Sequence, residues 1–188
     1  MTEKPTIFFS HSSRDARAIG RLKNLFLRAT GGSVDVFLST DGQSIPLGTN
    51  WVHKVEEALE HAGLMVVFVT PNSLRSNWLF FESGFVYAKK IRVVPVGFFG
   101  VDLAALPPPL SLLHGFNITS HEGLNNVLAL TNEVFQHSHQ PVFTSGDYKE
   151  VCGAAGSSSN AVLGDYWNLV ELKLAPGREP WVGTFYEP

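Results

Sequence analysis

The segment Trp78-Leu79-Phe80-Phe81-Glu82 sets a carboxylate four residues after a tryptophan. If the segment is helical, Trp78 and Glu82 lie one turn apart on one face. An aromatic wall that excludes water strengthens the field of such a carboxylate. The same spacing also fits an acid near a helix N-terminus, which stabilises by about 0.3–1 kcal/mol with no chemistry at all. Phe81 and Phe85 form a neighbouring apolar pair, and Gly84 permits close approach of a ligand or of backbone. Ser10-His11-Ser12 offers hydroxyls and an imidazole, but residues adjacent in sequence do not make a nucleophilic triad. Arg14 stands where a helix start could meet a phosphate, or it is simply solvated. Trp51 suits stacking on a base or ring, and equally a core position at a helix start. His137-x-His139 has no cysteine or acid at ligand spacing, so no metal site is expected. His53, His61, His114 and His121 are scattered and fit structural or solvated roles.

Composition narrows what these residues serve. The chain has 188 residues, 44% hydrophobic and 16% charged, which is globular composition and enough for one domain with an extension. A formal net charge of -3 gives no case for nucleic acid or an anionic membrane. Arg14, Arg17, Arg21 and Lys23 cluster beside Asp15 and read as a solvated helix face. Cys152 is the only cysteine, so no internal disulfide forms and a reducing, cytoplasmic setting is expected. No apolar run reaches the ~20 residues of a membrane span, and Met-Thr-Glu-Lys-Pro does not open a signal peptide. The Asn117-Ile118-Thr119 sequon then has no secretory route to act on.

The elements that must position these groups alternate in type. Thr6–Phe9 reads as a strand, Ser10–Ser13 as a turn, and Ser12 with Asp15 as a capping box. Ile19, Leu22, Leu25 and Phe26 recur at helical spacing until Gly31-Gly32. Val34–Leu38 is a second strand, followed by a polar loop from Ser39 to Asn50. That loop exceeds the usual ~4–6 residues, which favours function. A helix is expected over Trp51–His61. The apolar run Leu64–Val69 suits a central parallel strand covered on both faces. A helix from Trp78 to about Lys90 follows, then a strand over Val93–Val96 and a helix over 123–136; residues 100–110 are proline-rich and irregular. Such alternation predicts a flavodoxin-like three-layer α/β fold with a central parallel sheet. Its ligand crevice would lie at the strand carboxyl ends, in the loops 10–13, 39–50 and 70–77. Residues 138–188 read as a C-terminal extension packed on the domain or the start of a truncated region, with a small polar loop over Gly153–Asn160.

Several segments, in order, resemble TIR (Toll/interleukin-1 receptor) domains. They are Ile7-Phe8-Phe9-Ser10-His11-Ser12-Ser13-Arg14-Asp15, Val36-Phe37-Leu38-Ser39, the loop through Ile45-Pro46-Leu47-Gly48 with Trp51, Val67–Ser73, and the Trp78/Glu82 pattern. The resemblance covers about residues 5–136, assigns 1–137 to the domain, and leans towards bacterial stand-alone or defence-associated members. It implies cleavage of NAD+ at the nicotinamide–ribose bond, giving nicotinamide and ADP-ribose or a cyclic ADP-ribose, in anti-phage immunity. It makes Glu82 the catalytic residue. It places Phe9, Ser10, Arg14, Ser39, Ile45, Trp51 and Trp78 at the substrate, although Phe9 fits the core equally well. No cofactor is implied, since NAD+ is the substrate. Self-association through TIR–TIR contacts is implied, as is a separate sensor or effector protein for regulation.

The chemistry suits one carboxylate. Nicotinamide leaves as a neutral group, so the demand falls on the ribosyl cation that develops. A single carboxylate can hold the ribose hydroxyls and offset that charge. Other readings are a non-catalytic TIR scaffold, a receiver-type domain and a nucleoside-processing enzyme of related fold. Receivers need an acidic pair after the first strand and an aspartate after the third, where this chain has Phe9-Ser10 and Thr70-Pro71.

Overall fold

The computed structural model describes residues 4–38, 60–75, 91–106 and 112–155, all within the unit Met1–Ser158. Their backbone builds one sheet of five parallel strands: β1 (Thr6–Ser10), β2 (Asp35–Leu38), β3 (Ala62–Val69), β4 (Arg92–Gly97) and β5 (Phe116–Asn117). The spatial order is β2-β1-β3-β4-β5, the flavodoxin-like arrangement. Ile7 pairs with Val36 on one side and Leu64 on the other, which fixes β1 between β2 and β3.

The apolar run of β3 makes it the centre. Every residue of it except Gly63 is buried, as a strand covered on both faces requires. A Cβ at Gly63 would lie 2.6 Å from the Phe135 ring, so any larger residue there would force that ring to shift. Alternation then sorts the side chains. Ile7, Phe9, Leu64, Val66 and Phe68 join one core with α1 (Ala16–Ala29), α2 (His121–Phe135) and α3 (Ser145–Ala154). Phe8, Met65, Val67 and Val69 form a second core on the opposite face, where Phe8 stacks on Phe37 at 5.3 Å.

α1 buries Ala18, Ile19, Leu22, Leu25 and Phe26, the stripe its spacing predicts. Its end is built by Thr30, whose hydroxyl donates to the Phe26 carbonyl at 3.1 Å, and by Gly31 and Gly32 at φ 58° and 70°. α3 has no counterpart among the helices read from the sequence. Its start is a capping box in which the Thr144 side chain accepts from the Asp147 amide and the Asp147 carboxylate answers the Thr144 amide. Val151 and Ala154 of α3 are in the same core as α1, and Arg21 pairs with Glu150 at 2.8 Å across the surface. The exposed ion pair adds little beside that burial.

The stretch after α2 is pinned back onto the domain. Asn132 donates to the His139 carbonyl at 2.8 Å and accepts from its amide at 2.9 Å. His139 Nε2 lies 3.0 Å from Ser33 Oγ and 3.3 Å from His137 Nδ1. Burial, and secondarily His137, holds the His139 imidazole below its ordinary value of 6.5. The sequon residue Asn117 is likewise engaged, accepting from the Leu103 amide and donating to Asp102.

Candidate functional site

In a 2-1-3-4-5 sheet the order reverses between β1 and β3, and a ligand crevice opens at their carboxyl ends. Burial of polar groups picks out the same place. Eight polar or charged residues are buried among those described: Ser10, His11, Ser12, Asp15, Thr30, Thr70, Ser73 and Thr131. Thr30 and Thr131 are explained locally, since each hydroxyl donates to a carbonyl one turn back in its own helix. The other six all stand on the segments leaving β1 and β3.

These segments are tied together. Asp15, 1% exposed, accepts from Thr70 Oγ1 at 2.5 Å and from Asn72 Nδ2 at 2.7 Å. Thr70 Oγ1 also accepts from the Ser73 amide at 3.0 Å. The Ser73 hydroxyl accepts from the Thr70 amide at 2.7 Å and donates to the Thr70 carbonyl at 3.1 Å. On the β1 side, His11 Nδ1 lies 3.3 Å from the Phe9 carbonyl; a carbonyl only accepts, so that nitrogen carries the hydrogen. Among the described residues no buried side-chain nitrogen or oxygen lacks a partner.

The expected capping box at Ser12 and Asp15 does not form. Ser12 Oγ accepts from the Arg14 amide at 3.4 Å, and Asp15, the N-cap of α1, makes no side-chain cap bond. Its carboxylate is turned across the crevice instead. Sequence spacing marks Asp15 as a cap because a partner 55 residues away leaves no local signal. The turn chemistry of Thr70-Pro71-Asn72-Ser73 is the nearest hint of the other half.

The expected site residues separate into three groups. Phe9 is core: its ring is fully buried, edge-on to Phe26 at 5.7 Å and Phe68 at 5.1 Å. Ser10 is buried at the end of β1 opposite Val67, and Arg14 is exposed on the turn Ser13–Asp15. Ser39, Ile45, Trp51, Trp78 and Glu82 lie outside the described residues, as do most of the helix expected over 51–61 and all of that over 78–90. Among the described residues no three His, Cys, Asp or Glu side chains gather as a metal site would need, and no helix is long and apolar enough to cross a membrane.

No curated protein matches the sequence. Among solved structures, a metazoan TIR-STING receptor from C. gigas is similar at 16% identity and a TM-score of 0.48, over 88% of this chain and 46% of that one. This chain thus spans less than half the length of that receptor. The TIR domains of the activated Roq1 resistosome, which directly recognizes the pathogen effector XopQ, are similar at 18% identity and a TM-score of 0.42, over 91% and 98% of the two chains. The family model for the TIR domain matches residues 7–128, more than half of the sequence, and the chain belongs to the TIR-domain family.

Proposed function

We propose that this TIR domain cleaves NAD+ at the nicotinamide–ribose bond, with Glu82 as the catalytic carboxylate. One observation carries the reading. The polar groups buried at the β1/β3 crevice are clustered and fully satisfied, and in the sequence Trp78 and Glu82 follow closely on the turn that leaves β3 there. In the reaction the bond between C1′ and the nicotinamide nitrogen breaks, and its electron pair neutralises the pyridinium. The ribosyl cation left behind is held by Glu82 through the ribose hydroxyls. Water adds at C1′ and loses a proton to give ADP-ribose, or an adenine nitrogen adds to give a cyclic product. Ser10 lies at the mouth of β1, and Arg14 projects from the helix start where a pyrophosphate would sit. Ser39, Ile45, Trp51 and Trp78 complete the proposed substrate set, and Phe9 supports it from the core. The product serves defence, either by depleting NAD+ or as a signal, in copies brought together by TIR–TIR contacts under a separate sensor.

The test is product analysis by mass spectrometry at high protein concentration for the wild type and Glu82→Gln. Nicotinamide is expected from the wild type, with a loss of at least about 100-fold in the variant, the scale on which a transition-state electrostatic contact acts. Undiminished release by folded Glu82→Gln overturns the assignment. Self-association of a wild-type protein that releases no nicotinamide identifies a scaffold instead.

A further inference from the structure

We infer that Asp15 is a positioning residue for the proposed NAD+ site, fixing the turn after β3 from which the chain continues to Trp78 and Glu82; this rests on the functional reading above. A carboxylate only 1% exposed is costly unless its oxygens are paired. Apolar packing in place of a buried polar network is often at least as stable, so stability alone is a poor account of it. Asp15 also stands at the N-cap of α1 without capping it, giving up the contact that a helix start favours. Both oxygens are spent on the turn after β3.

That turn is rigid in itself. Thr70 and Ser73 exchange three hydrogen bonds, and the Leu74 amide adds a fourth to the Thr70 carbonyl at 3.1 Å. Within it, Thr70 Oγ1 accepts from Ser73 and therefore has its hydrogen free to donate to Asp15. A rigid turn with one anchor moves as a unit when the anchor fails. The turn ends at Ser73–Arg75, and Trp78 and Glu82 follow three and seven residues later in the sequence. A misplacement of about 1 Å in catalysis costs on the order of 100-fold.

The substitutions follow from the donor pattern. Asp15→Asn replaces one acceptor with a donor while two donors still converge on it. Thr70→Val removes both the donor to Asp15 and the acceptor of the Ser73 amide at nearly constant volume, and Thr70→Ser retains both. The experiment measures NAD+ turnover and amide hydrogen exchange on the full chain for these variants. Expected are a fall in kcat of about 100-fold in Asp15→Asn and Thr70→Val with KM little changed, near-normal kcat in Thr70→Ser, and faster exchange confined to the turn over residues 70–75. Unchanged kcat in folded Asp15→Asn overturns the inference. Loss of protection spread evenly over the sheet also overturns it, because the role is then merely structural. If the wild type itself releases no nicotinamide, the functional reading has failed, and the exchange data still decide the anchor: a local response supports it and no response removes it.

Discussion

At the scale of single residues, Phe9 and Asp15 exchanged the roles their positions suggest. Phe9 ends a strand at the ligand edge, yet its ring is locked between Phe26 and Phe68. Phe9→Ala should therefore cost about 3–5 kcal/mol of stability, read as a lower urea midpoint, through the cavity left beside those rings. A loss under 1 kcal/mol would mean that the ring is not core. Asp15 looked like a helix cap and instead spans the crevice. The reason is general. Caps, turns and stripes are local and readable from spacing, whereas a side chain's choice between its own helix and a loop 55 residues away is decided by topology.

At the scale of elements, β1 to β4 and α1 were legible because burial leaves a pattern: the apolar run Leu64–Val69 in β3, and the stripe Ile19, Leu22, Leu25, Phe26 in α1. α3 was not legible, since its only buried apolar residues are Val151 and Ala154; the signal present was Thr144-x-x-Asp147. β5, two residues long, is too short to carry a pattern. The connection between α2 and α3 makes a prediction of its own. His139 is held neutral by burial and by His137, while its unfolded counterpart titrates at about 6.5. The unfolded chain thus binds the proton first. Stability should be intact above about pH 6.5 and should fall as the pH drops from there towards the lower folded value. Urea midpoints measured from pH 7.5 to pH 5 should show this slope, reduced in His139→Gln. An equal slope in the variant would place the effect on another group.

At the scale of the whole molecule, the proposal makes activity depend on copies meeting. Nicotinamide release per protein molecule should rise with protein concentration, faster than linearly in total rate, until assembly saturates. Strict proportionality over a 100-fold dilution series would show that a single chain suffices, and sedimentation on the same samples reports the assembly. The parallel sheet has a further consequence, in time. No two neighbouring strands can close as a hairpin, because every pair in the sheet is parallel. The unit β1-α1-β2 is complete once residue 38 is made, but β1 waits for its inner partner until β3 ends at Val69. At about 5–20 residues per second, synthesis of the intervening stretch takes roughly 2–6 s. Through that interval the inner edge of β1, the apolar strand carrying Phe8 and Phe9, is unpaired and open to pairing with another nascent chain. The strand that later borders the crevice is thus the one with most need of shielding as the chain leaves the ribosome.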